Sequence, residues 1–224
     1  MTFESFIENS KAIFEQFPNE QVWFQGGLVP NRQLQTPEAG YCVAIRYDEI
    51  TTHAISAFMR KAYAILPPTV EYNIQSFHST IGVFAKGDLS EFLPDITILE
   101  SLRKSVASAL IKAPGNPRVQ FGKWLFNAEA ILVSGFPNHD LWNLSQAIGT
   151  ACQENRVPLE QGRIIHITTA RFISAVSGRV FNQFTRLMET APVLKPAKPS
   201  AIAVATWRCD GLTFEITPHE QFPL

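Results

Sequence analysis

Two short segments of the chain repeat one another in residue type and spacing: His78-Ser79-Thr80 and His166-Ile167-Thr168, 88 residues apart. Each lies in an apolar run, Ser76 to Phe84 and Ile164 to Phe172, that reads as a β-strand. Alternate side chains of a strand share a face, so the His and the Thr of each copy point the same way. An imidazole beside a hydroxyl suits proton transfer at a phosphate ester. Two copies supply an acid, a base and two hydrogen-bond donors for phosphate oxygens. An imidazole near its ordinary pKa of about 6.5 can take either role close to neutral pH.

Other chemistries have less support. Two histidines are too few to ligate a metal, and neither segment has a further His, Cys or carboxylate at ligand spacing. There is no G-x-S-x-G elbow, no Cys beside either histidine and no glycine-rich phosphate loop. No metal and no cofactor are expected. His53, His139 and His219 have no partner residues spaced around them and read as structural, as do Trp23, Trp124 and Trp142.

The elements that must position the histidines follow from periodicity. Phe3, Phe6, Ile7, Ile13, Phe14 and Phe17 have helical spacing, which Pro18 stops, and a loop rich in Gly, Pro, Asn and Gln runs from Gly26 to Gly40. Residues 1–40 are therefore expected to be a helical extension packed on a main domain, 41–224. In that domain a first strand is expected at Tyr41–Tyr47 and a helix from about Thr51 to Leu66, ended by Pro67-Pro68. The first histidine strand is expected over Glu71–Phe84, then a helix over Asp95–Lys112. Strands at Val119–Phe126 and Ala128–Ser134 precede a helix capped by Asn138 or Asp140 and running to Asn155. The second histidine strand, Arg163–Phe172, is followed by a helix capped by Ser177. Ala201–Arg208 and Leu212–Thr217 close as a hairpin around Asp210-Gly211. Hairpin signals among alternating strands and helices favour α+β with antiparallel sheets over a doubly wound parallel fold, and each histidine strand follows a strand-and-helix unit.

Composition sets outer limits. The 224 residues are 46% hydrophobic with a formal net charge of −1, which argues against a sequence-independent grip on long nucleic acid; no DNA partner is expected. Charge is uneven: residues 1–155 carry 11 basic and 15 acidic groups, residues 156–224 carry 8 and 5. A locally positive cleft for one or two phosphates is compatible with this, as is a solvated basic face. Three distant cysteines without C-x-x-C spacing, an acidic N-terminus and no membrane-length apolar run give the expectation of a soluble cytoplasmic protein without a membrane partner.

The two histidine segments resemble the paired signatures of the two-histidine (2H) phosphoesterase superfamily, which includes bacterial 2′-5′ RNA ligase-like proteins and cyclic nucleotide phosphodiesterases. The second copy, His166-Ile167-Thr168-Thr169-Ala170-Arg171-Phe172, is the closer match; the first has Ser79 and Gly82 at variable positions. The likeness spans roughly Tyr41 to Thr217 and includes the first strand and the Phe136-Pro137 turn. The extension before Tyr41 has no counterpart in the minimal pattern and is placed to cover or narrow a cleft.

The resemblance implies a bilobal, pseudo-twofold α+β fold: two antiparallel sheets with outer helices, the motifs facing each other across a central cleft. It implies metal-independent chemistry on RNA phosphodiesters, 2′,3′-cyclic or 2′-5′ linked, with ligation as well as hydrolysis open and a nucleotide or RNA end as partner. His78 and His166 would be catalytic, and Thr80 and Thr168 would bind phosphate. A non-catalytic binder of nucleotides or RNA ends on the same scaffold is the alternative. Arg171 is a further substrate-binding candidate. Five residues past His166, it faces away in an ideal strand unless a bulge returns it. Tyr41, Phe84, Phe172 and Trp207 are candidates for stacking a base. Base preference, the assignment of acid and base, and oligomeric state are not specified by the sequence.

Overall fold

The structure, a computed structural model, describes residues 1–17 and 37–224. Trp23, Pro18 and most of the Gly26–Gly40 loop lie outside the described residues. Helix α1 (Phe3–Glu15) opens with a capping box in which Thr2 and Ser5 satisfy each other's backbone N–H groups. Strand β1 (Glu38–Arg46) begins inside the segment expected to be loop. Helix α2 (Glu49–Tyr63) follows, capped by Asp48, whose carboxylate accepts from the Thr51 N–H at 2.8 Å.

The expected strand Glu71–Phe84 is two strands, β2 (Thr69–Tyr72) and β3 (His78–Asp88). A turn in which the Ser76 N–H donates to the Asn73 carbonyl separates them. The break has a topological cause: β2 pairs with β7 and β9, whereas β3 pairs with β1, so the chain changes neighbours within the turn. Helix α3 (Ile96–Lys112) has Asp95 as its cap. Strands β4 (Val119–Phe126) and β5 (Ala130–Pro137) form a hairpin, and Asn138 caps α4 (His139–Glu154). The two-residue β6 (Glu160–Gln161) carries no sequence signal. Then come β7 (Ile165–Phe172), α5 (Gly178–Met188) capped by Ser177, β8 (Ala201–Cys209) and β9 (Thr213–Pro223). At the last hairpin the Asp210 carboxylate accepts from the Leu212 and Thr213 N–H groups. Gly211 takes φ 88°, a conformation that favours glycine.

The α+β class holds, but hydrogen bonding makes one nine-stranded sheet, in the order β4-β5-β7-β2-β9-β8-β1-β3-β6, where two sheets were expected. The two halves are joined by β2 and β9, the one parallel pair among the described residues, through Glu71 opposite Thr213 and Tyr72 opposite Phe214. Helices α2 and α5 cover the β4-β5-β7-β2 half: Phe58 meets Trp124, and Phe184 meets Phe126 and Phe172. Helices α3 and α4 pack together beside the other half, where Ser105 Oγ donates to the Ala151 carbonyl and accepts from Asn155. Full burial of side chains such as Phe172, Phe184, Ile131 and Leu144 contributes about 1.5–3 kcal/mol each.

The opposite face of β7 carries His166 and Thr168, and their partners on β5 are Ser134 and Leu132. Helix α1 lies over this continuation of the face, with Phe14 packed on Leu132 and Leu125. At its start, Phe3 contacts the rings of His139 and Trp142.

Gly82 tests how closely β3 and β6 are fitted. A Cβ there would lie 2.6 Å from Leu159 Cγ and 2.8 Å from the Glu160 carbonyl oxygen, whereas one at Gly87 meets nothing within 4 Å. Gly82→Ala is expected to cost about 1–3 kcal/mol as overpacking. Thermal melts should show it below wild type by several degrees and Gly87→Ala close to wild type.

Candidate active site

His78 is the first residue of β3 and His166 the second of β7. These strands are not sheet neighbours, yet their histidine-bearing ends meet. The Ser79 hydroxyl, fully buried, donates to the main-chain carbonyl of His166 at 2.7 Å. With the serine proton so committed, the buried Tyr47 hydroxyl at 2.8 Å is left to donate to Ser79 Oγ. A Tyr47–Ser79–carbonyl chain thus ties one motif to the other.

Each motif strand also carries the same irregularity. In β3 the pairing with β1 steps from Ala44–Thr80 to Val43–Gly82, leaving Ile81 unpaired as a bulge. In β7 the pairing with β5 steps from Leu132–Thr168 to Ile131–Ala170, leaving Thr169 over; its hydroxyl bonds to the Ile131 carbonyl. The extra residue stands three places after the histidine in both. It restores the fifth residue after each histidine to the histidine's own face. Those fifth residues are Val83 and Arg171, so the bulge that Arg171 needed is present.

The result is a cavity of about 210 Å³ lined by His78, Thr80, His166, Thr168 and Arg171, with Trp207 among its aromatic walls. Cys42, Tyr72, Val83 and Phe214 complete the lining. The Phe214 ring is stacked with Tyr72 (4.6 Å), His78 (5.6 Å) and Trp207 (6.0 Å), and the Arg171 guanidinium lies 5.9 Å from its centroid. The part of the cavity lined by hydroxyls and a guanidinium and its apolar part are therefore contiguous.

Tyr41, Phe84 and Phe172 do not line it. Each is one residue away from a lining position (Cys42, Val83, Arg171), and strand alternation sends it to the other face. Phe172 is in the core against Phe184, and Tyr41 packs on Phe84 and Phe92 while its hydroxyl accepts from the Asp95 N–H. Val83 was legible in principle, as the counterpart of Arg171 in the repeated spacing. Tyr72 and Phe214 were not, because the parallel β2–β9 pairing that joins them leaves no local pattern.

Burial dominates the electrostatics. It lowers the His78 pKa to about 4, with Arg46, His166 and Arg171 adding to the effect and the Ser76 carbonyl, which accepts from Nδ1 at 2.7 Å, opposing it. His166 is likewise lowered to about 4 by burial and then by Arg171, while the Ile164 carbonyl opposes. The two carbonyls hold equivalent places, two residues before each histidine. His166 Nδ1, however, is enclosed without a hydrogen bond of ordinary geometry. With Nδ1 turned to the backbone, Nε2 is the nitrogen left for the cavity. Burial pushes the Cys42 thiol up to about 12, so it is protonated and no nucleophile near neutral pH. Among the described residues no three His, Cys, Asp or Glu side chains are grouped to hold a metal ion, and the free cysteines are all buried. No helix among them is long and apolar enough to cross a membrane.

Two measurements check this description. Between pH 4 and about 6.5 the unfolded histidines bind protons that the folded ones reject. Their contribution to stability is complete above about pH 6.5 and lost as pH falls towards 4. The melting temperature should drop from pH 7.5 to pH 5, and less steeply in a His78→Asn/His166→Asn double variant. Ser79→Ala strands the Tyr47 hydroxyl and the His166 carbonyl and should cost about 1–3 kcal/mol in denaturant unfolding.

No protein-family model matches the chain, and no curated protein matches it in sequence. Solved structures do match in fold. E. coli LigT, in its complex with NADP+, superposes with a TM-score of 0.51 at 14% identity, over 84% of this chain and 98% of that one. TT0787 of Thermus thermophilus gives 0.51 at 14% identity, over 84% and 97%. ATU0111 from Agrobacterium tumefaciens, a conserved protein of unknown function, gives 0.52 at 13% identity, over 85% and 93%. The chain thus shares its fold with LigT and TT0787.

Proposed function

We propose that the protein is a metal-independent phosphodiesterase acting on 2′,3′-cyclic or 2′-5′ linked nucleotides or RNA ends through His78 and His166. The observation that carries this reading is the convergence of both histidines, both threonines and Arg171 on one small cavity. The threonine hydroxyls and Arg171 hold the non-bridging oxygens. One imidazole takes the proton of an attacking water as the other gives a proton to the departing oxygen. Both imidazoles are neutral near pH 7 in the free protein, so a bound phosphate anion supplies the charge that lets one of them hold a proton. His78 is the better placed to do so, since its Nδ1 proton already has the Ser76 carbonyl as acceptor. His166 then acts as the base. The fold shared with LigT, whose structures hold 3′-AMP and NADP+, supports a nucleotide ligand. Trp207 and Phe214 offer a face for its base.

The extension bears on substrate size. Because α1 covers the face of β5 next to His166 and Thr168, a ligand centred on the histidines extends towards the Trp207–Phe214 side. A mononucleotide or strand end fits this geometry better than an internal linkage.

Purified protein should open 2′,3′-cyclic mononucleotides in the presence of EDTA, and His78→Ala or His166→Ala should each lower kcat by about 10²–10⁴-fold. The value of kcat/KM should peak on the acid side of neutrality, where the free protein carries one imidazole proton. Binding without turnover, unaffected by loss of both histidines, would instead establish the non-catalytic alternative. Internal 2′-5′ linkages in end-blocked oligonucleotides should react far more slowly than terminal ones; equal rates would overturn the role given to α1.

A further inference from the structure

Arg46, the last residue of β1, lies directly opposite His78 in the β1–β3 pairing. One arm of its guanidinium, Nη2, donates to the Gln75 carbonyl. The next carbonyl along, that of Ser76, is the acceptor for His78 Nδ1 at 2.7 Å. The backbone of Arg46 is fixed from the far side, where its own carbonyl accepts from the Ser200 N–H at 2.8 Å. The other arm, Nη1, is buried without a hydrogen-bond partner. The neighbouring titratable group that acts on Arg46 is the Cys42 thiol rather than a carboxylate. A neutral side chain of similar length would avoid burying this idle, charged arm. What an arginine adds is a rigid, always-charged fork reaching the turn between β2 and β3.

We propose that Arg46 is a positioning residue for His78: by anchoring the β2–β3 turn it fixes the Ser76 carbonyl, and with it the ring orientation that sends Nε2 into the cavity. Its charge acts in the same place, weakening the hold of His78 on a proton and so making it a readier acid. The second half of the fold has no equivalent hydrogen bond from His166 Nδ1, so the device distinguishes the two imidazoles. The groups facing His78 are Arg46 and Cys42 from β1, Tyr72 from β2, His166 and Arg171 from β7 and the Phe214 ring from β9. Of these, Arg46 is the one bonded to the turn that holds the ring.

The catalytic consequence rests on the phosphodiesterase reading, but the positioning does not, and NMR of the imidazole nitrogens tests it in the free full-length protein. In wild type, His78 should be the Nδ1–H tautomer and titrate well below 6.5. Arg46→Gln keeps an N–H donor without charge, so the tautomer should persist while the titration midpoint rises. Arg46→Lys keeps both an N–H donor and the charge, so tautomer and midpoint should both stay near wild type. Arg46→Met should show both changes. If turnover of a 2′,3′-cyclic nucleotide is present, Arg46→Met should lower kcat by roughly 10²-fold with KM little altered. An unchanged His78 tautomer and midpoint in folded Arg46→Gln and Arg46→Met would overturn the proposal. Absent turnover with the expected NMR changes would count against the phosphodiesterase reading alone.

Discussion

The hydrogen bond from Ser79 Oγ to the His166 carbonyl is the contact on which the candidate site turns. Through the sheet, β3 and β7 are separated by four intervening strands, β2, β9, β8 and β1. A twisted sheet brings such distant strands together only if it curls, and something must fix where the curl closes. A buried serine, with its proton committed to one carbonyl and its oxygen accepting from Tyr47, fixes that point. Its low-dielectric setting strengthens the bond, and loss of any member would leave a desolvated polar group. Two histidines that are 88 residues apart in the chain thereby line one cavity.

Around that closure the two motif strands obey one local rule. The histidine, the second residue after it and, past a bulge, the fifth face the cavity. Because the rule is the same in both strands, differences in residue type become differences in chemistry. Val83 and Arg171 occupy equivalent places, so one half of the cavity has an apolar wall and the other a guanidinium. Anionic and apolar parts of one molecule would meet different complementary surfaces in this arrangement. The same asymmetry appears behind the rings, where His78 Nδ1 has a well-formed bond to the Ser76 carbonyl while His166 Nδ1 has only the approach of the Ile164 carbonyl.

Burial makes the cavity work in a way that composition does not suggest. Withdrawal from water, more than any single charge, keeps both imidazoles neutral and the Cys42 thiol protonated. A cavity lined by neutral proton acceptors, two hydroxyls and a guanidinium is suited to an anion that brings its own charge. Helix α1 adds shape to this polarity by occupying the neighbouring stretch of the same sheet face through Phe14.

Much of this was written into the chain locally. The helices from Asp95, Asn138 and Ser177 were legible because a cap and an apolar stripe are short-range signals. The pairing of His with Thr was legible because strand alternation is a property of the backbone alone. Arg171 was legible only conditionally, since a bulge is set by the partner strand's register and that partner, β5, is distant in sequence. Tyr41, Phe84 and Phe172 look as suitable as Trp207 in sequence, yet a shift of one residue turns them to the other face. The split of the first histidine strand into β2 and β3, the joining of both halves into one sheet, and the gathering of Tyr72, Phe214 and Arg46 around His78 depend on long-range pairing. The sequence by itself determined the reactive groups and the faces they share, because these follow from the periodicity of a single strand. Which groups meet, which way their rings turn and how far water is excluded were decided by the tertiary structure, since those depend on contacts between residues that the sequence holds far apart.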